Sequence, residues 1–193
     1  MLIAKEQALH FINHYQELLT EVALISGLVK RQEGWGSVSE MLVAARTAML
    51  ADPGLCEQAL QSLQDKGLSV AEDVRKAVLS LRVDHWVYLR DTTSYSVLMD
   101  ARNEEAAYAV KCLTTRLKEL VGDSGAFIEC GLLAYQGQLI SDGLVGFVAW
   151  IGNNYRRSFN QNLTELRAKG QLYGDRVLPA PLAARGKKKI KNA

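Results

Sequence analysis

Over residues 2 to about 29 the apolar side chains return at three- and four-residue steps, through Phe11, Ile12, Tyr15, Leu18, Leu19, Val22 and Ile25. One stripe of a long helix would bury them, so the spacing predicts an amphipathic helix ending at the Gly34-Trp35-Gly36 turn. Ser37 with Glu40 has capping-box spacing and predicts a second helix from 38 to about 51. Asp52-Pro53 opens a third helix, which Gly67 can close. Ser69 with Glu72 repeats the capping spacing and opens a fourth helix to about 81.

After Asp84 the pattern changes from helical steps to β-branched and aromatic runs. Residues 85–90 and 94–100 flank Asp91-Thr92-Thr93 and read as a hairpin. Asn103 would cap a further helix carrying Ala106, Val110, Leu113, Leu117 and Leu120 on one side and stopping at Gly122. Two more strands, 126–134 and 138 to about 151, turn at Gln136-Gly137, and a last helix buries Tyr155, Phe159, Leu163 and Leu166 before Gly170. The expected fold is α+β: a helical part over 1–83, and a ββαββα part over 84–173 built on an antiparallel sheet and packed with the helices as one compact unit. A flexible basic tail, 174–193, completes the chain.

Charge sharpens this division. Residues 1–150 carry 13 basic against 19 acidic side chains, a net of −6, whereas 151–193 carry 10 against 2, a net of +8. The positive charge gathers in Arg185, Lys187, Lys188, Lys189 and Lys191, a run that repels itself and buries nothing. With 48% hydrophobic and 23% charged residues the rest reads as an ordinary globular protein. Lys5 and Glu6 interrupt the N-terminus where a secretory signal needs an apolar run, and the apolar run from 143 to 152 is too short to span a bilayer. Three widely spaced cysteines, Cys56, Cys112 and Cys130, suit reduced core thiols, so a soluble protein of the cytoplasm is expected.

Residues 107–114 (AYAVKCLT) followed by 127–144 (FIECGLLAYQGQLISDGL) resemble a helix-plus-hairpin segment in a group of uncharacterised bacterial proteins. Their hairpin reads leucine pair, proline-aromatic, x, glycine, x, isoleucine, x, aspartate-glycine-leucine, and Ala134 stands here in the proline's place. The likeness covers about a quarter of the chain. It implies a shared fold and no activity.

Several residue groups invite a chemical reading. In the second hairpin the two-residue turn sets Gly131 opposite Asp142 and Glu129 opposite Leu144, which puts Glu129 and Asp142 on one face as diagonal neighbours. Two desolvated carboxyls that close would separate their pKa values and could share general-acid and general-base work. The competing reading pairs one of them with Arg156, Arg157 or another base. Arg156 and Arg157, with the open N–H groups of a helix start at Gly152-Asn153, could instead hold an anion. Glu6, His10, His14, Glu17 and Glu21 share one arc of the first helix, but a solvated polar face puts them there too, and no metal site is assigned. His85 with Cys112 or Cys130 lacks a supporting pattern for a nucleophile.

Residues 54–100 also spell helix, turn, helix and wing, with Arg75, Lys76 and Arg82 offset by Glu72 and Asp73. Three functions therefore compete. A non-catalytic cytoplasmic interaction or binding module, without a cofactor, comes first; its partner is a protein or a nucleic acid engaged by the tail. Nucleic-acid binding through the tail and the winged-helix-like segment is second, and an enzyme using Glu129 and Asp142 is third.

Overall fold

The computed structural model describes residues 1–29, 36–102 and 105–178. Four helices come first: α1 (Lys5–Ile25), α2 (Val38–Ala51), α3 (Pro53–Asp65) and α4 (Glu72–Leu79). At the start of α2 the Ser37 hydroxyl accepts from the Glu40 N–H at 3.2 Å, and the Glu40 carboxylate accepts from the Gly36 N–H at 2.9 Å. A serine cap of this kind contributes about 1 kcal/mol. The capping box expected at Ser69 does not form: Ala71 is the N-cap of α4, with no side-chain bond, and Glu72 turns to Arg75 and Lys76. Gly34 and Trp35 of the expected first turn lie outside the described residues.

Seven strands follow: β1 (Arg82–Asp91), β2 (Ser96–Asp100), β3 (Ala107–Val110), β4 (Ala126–Tyr135), β5 (Gln138–Ser141), β6 (Gly146–Trp150) and β7 (Leu172–Tyr173). A short helix, α5 (Leu117–Val121), precedes β4, and α6 (Asn153–Ala168) precedes β7. The fold is α+β on a mostly antiparallel sheet. Its strand order is β5-β4-β1-β2-β3-β7, and β6 rejoins β4 further along. The sheet curls until Lys111, just past β3, meets β5: the Lys111 N–H donates to Leu139 O at 2.9 Å, and the Ser141 N–H to Lys111 O at 3.0 Å.

Curling gives the sheet an interior and an outer face. Trp86, Tyr88, Leu98, Tyr108, Ile128 and Leu132 fill the interior. On the outer face, Leu133, Tyr135 and Ile140 join the core of α1 to α4, while Val87, Val97 and Met99 pack under Phe159, Leu163 and Leu166 of α6. Coverage of both faces explains why β1 carries an unbroken apolar run from Trp86 to Leu89 rather than an alternation.

Three expectations are corrected. The second half is not ββαββα, because the helix expected up to Gly122 supplies β3 and only the short α5. Tyr108, Val110 and Cys112 point into the curled sheet while Ala107 packs outward beneath α6, so period two wins over the three-and-four spacing. Asn103, the expected cap, lies outside the described residues. The strand expected over 138–151 breaks at 142–145, where Gly143 takes φ +82° and the chain leaves the ladder between β5 and β6. Tyr155, expected on the inner face of α6, is 69% exposed.

Candidate functional site

The hairpin turn is as read: Gln136 and Gly137 both take positive φ, 49° and 74°, which pairs Tyr135 with Gln138. That register runs as far as Asp142, whose N–H donates to Gly131 O at 2.9 Å, and then slips, so that Glu129 pairs with Gly146 and not with Leu144. Glu129 and Asp142 nevertheless converge. The group joining them is Arg46, a residue the sequence reading passed over as part of a helix.

The Arg46 guanidinium is brought in by α2 and is 1% exposed. Its Nη1 donates to Asp142 Oδ2 at 2.7 Å and to Leu144 O at 3.0 Å, and its Nη2 donates to Glu129 Oε1 at 3.3 Å. Asp142 Oδ1 accepts from the N–H groups of Gly131 and Leu144, each at 3.1 Å. A β-carbon on residue 131 would stand 2.4 Å from Asp142 Oδ2, so glycine is what lets the carboxylate lie on the strand. Burial pushes the Asp142 carboxyl up, against the pull of Arg46 and the two backbone amides. For Arg46 burial alone would loosen the proton, but the charge of Asp142 and its hydrogen bond overturn this and hold it more tightly.

Glu129 is half-exposed and reaches the surface beside His85, its register partner on β1, with Oε2 3.8 Å from His85 Nε2. The His85 ring stacks on Phe127 at 5.2 Å. Arg156 and Arg157 are exposed on the first turns of α6 and contact neither acid among the described residues.

The other candidates disperse. On α1, His10 pairs with Asp73 at 3.1 Å and His14 faces Glu17 at 3.9 Å, while Glu21 is buried and accepts from Ser62 and Lys66 at 2.6 Å. Glu21 therefore leaves the polar arc expected for it, and no cluster with metal-holding geometry occurs among the described residues. Arg82 is partly buried at the start of β1, bound to Asp84 and Asp100, with its guanidinium 4.8 Å over the Trp86 ring. β1 and β2 are inner strands of the sheet, so their hairpin does not stand out as a wing. Cys112 and Cys130 are buried thiols whose pKa values burial raises, and His85 stands opposite Glu129 rather than beside either. Arg185, Lys187, Lys188, Lys189 and Lys191 lie outside the described residues.

One cleft of about 220 Å³ opens beside the brace, between α1, α2, the chain leading into α5 and the 141–145 break. Ile12, Leu19, Leu42, Leu113, Leu117 and Val145 form its apolar walls. Its polar lining is Asp142, Ser141, Tyr15, Gln16, Thr114 and Thr115, and the Tyr15 hydroxyl itself is buried. Burial first, and the negative field of Asp142 second, push the Tyr15 phenol well up, so it keeps its proton. The Asp142 carboxylate lies beside that phenol as its nearest acceptor, outside good hydrogen-bond geometry. Periodicity marked Tyr15 only as core; nothing local signals that it lines a cleft beside Asp142.

Comparison with protein-family models, curated proteins and solved structures finds no match to this chain. Among the described residues no helix is long and apolar enough to cross a membrane.

Proposed function

We propose that this protein is a non-catalytic binding module of the cytoplasm that takes a small, largely apolar molecule into the cleft beside Arg46 and Asp142. The observation that carries this reading is an amphipathic cleft whose apolar walls run to a polar end at Asp142, Ser141 and Tyr15. A cavity of about 150 Å³ already holds a benzene ring. The titratable groups lining the cleft favour binding over turnover. Asp142 is spent on Arg46 and two amides, and burial keeps Tyr15 and Cys112 protonated. Three reduced cysteines suit a reducing compartment. On this reading Glu129 and Asp142 are structural partners of Arg46 rather than an acid–base couple.

The test is a titration of the full chain with α-methylstyrene, followed by methyl NMR. Saturable shifts confined to Leu19, Leu42, Leu113 and Leu117, and abolished by Thr115→Trp at the rim, are expected. No saturable shift, or shifts centred on Leu50 and Leu79 at the surface between α2, α3 and α4, would overturn the assignment.

A second reading rests on the basic run from Arg185 to Lys191. It treats the tail as a nucleic-acid contact, whose affinity must fall steeply with salt and drop when residues 185–193 are removed. Binding indifferent to either change ends it.

A further inference from the structure

We propose that β6 is an edge through which two copies of this chain join, antiparallel about a two-fold axis normal to the sheet, so that one sheet continues into the other. This surface is separate from the cleft and does not depend on a ligand there.

β6 pairs with β4 on one side, and among the described residues no strand lies on its other side. Its side chains are bared as well: Phe147 is 49%, Val148 48% and Trp150 54% exposed. Edges of this kind are ordinarily guarded by lysine, proline, an inward charge or a bulge. Residues 143–155 hold no charged side chain and no proline, which leaves one bulge, near Val148. That bulge sets the faces of the strand. Phe147 stands opposite Ile128 and Trp150 opposite Ala126, both residues of the interior, and the two rings meet at 5.2 Å. Gly146 and Ala149 stand opposite Glu129 and Phe127 on the outer face, where Ile151 also packs. A register that sets Phe147 against the partner's Trp150 keeps inner residues with inner ones and Gly146 with the partner's Ile151, and it brings the two bulges together at the dyad.

Charge selects a second copy as the occupant. Self-pairing brings only neutral side chains together along the strand, whereas a charged segment finds no complement in residues 143–155. The ends of β6 differ in sign: exposed Arg156 and Arg157 follow its last residue, and half-exposed Glu129 is the register partner of its first. Antiparallel pairing sets the basic end of one copy beside the acidic end of the other, while parallel pairing would set like beside like.

The test is sedimentation velocity of the full-length chain over a range of concentrations. One short strand pair is a small interface, so a weak dimer whose mass rises with concentration is expected. Val148→Lys and Val148→Glu, at an exposed position beside the dyad, should each raise the dissociation constant at least about tenfold, since two copies then bring like charges together. An unchanged melting temperature checks the fold of each variant. Mixing the two in equal amounts should restore the dimer, because opposite charges now meet. A chain that stays monomeric throughout overturns the proposal. So does a dimer that Val148→Lys leaves intact, which places the contact elsewhere, and so does a mixture that stays monomeric. A monomer that co-sediments with phosphatidylserine vesicles gives the apolar strip to a membrane surface and overturns the dimer as well.

Discussion

Arg46 is buried and Arg82 nearly so, its side chain 9% exposed; both are bound to two carboxylates and both leave Nε without a partner, yet they do different work in the fold. Arg46 reaches from a helix to the far hairpin, across 83 to 98 positions of sequence, and fastens the helical layer to the outer face of the sheet. Arg82 binds Asp84 on its own strand and Asp100 on the neighbouring one, and closes one end of the curled sheet by donating to Leu178 O at 3.0 Å. The acids left behind also differ. Asp84 keeps Arg102 at 2.7 Å and the His85 N–H at 2.8 Å, and Asp100 keeps the Arg102 N–H at 2.9 Å. Asp142 without Arg46 keeps two neutral amides and no cation. A buried arginine matters in proportion to the charge it would strand, more than to the number of bonds it makes.

Removing each arginine tests this directly. Arg46→Met should lower stability in urea unfolding by about 3–5 kcal/mol, as expected for one half of a broken buried pair. Adding Asp142→Asn should restore a large part of that loss, because the stranded charge goes with it. Additive losses in the double variant would contradict the brace. Arg82→Met should cost less, about 2 kcal/mol, since Arg102 still answers Asp84; a loss as large as that of Arg46→Met would erase the distinction.

A weaker contrast lies outside both clusters. Burial acts to raise the Asp73 carboxyl, but hydrogen bonds from Gln136 and His10 outweigh it and bring it down to about 2 from 3.8. Because its folded value is depressed, Asp73 contributes stability above about pH 4 that is lost as pH falls toward 2. Asp73 is partly exposed, so the contribution is small. Asp73→Asn should flatten the acid limb of stability in that window, and an unchanged limb in acid titration followed by circular dichroism would count against the pairing.

Much of the fold was legible for local reasons. Ser37 and Asp52 cap helices through atoms two and three residues away, and Gln136-Gly137 turns a hairpin by its own backbone preferences. The stretch around Tyr108 was misread because alanine, valine and leucine at these spacings satisfy a helix as well as a strand, and only a partner sheet decides between them. At the candidate site, the hairpin placed Glu129 and Asp142 on one face even though the ladder slips by two residues between them. The arginine that binds them was hidden, since nothing near Arg46 in sequence distinguishes it from a solvated helix residue.

What the amino-acid sequence settled by itself is what short-range chemistry can settle: caps, turns, the stripe of α1, and the acidic body set against a basic end. The tertiary structure decided the rest. Curling of the sheet turned a helical-looking segment into β3, and the packing of α2 on the hairpin gave two carboxylates a shared cation. The meeting of α1 with the 141–145 break set one buried phenol beside the Asp142 carboxylate. Each of these depends on groups tens of residues apart, whose energies appear only once the chain has brought them together and removed the water between them.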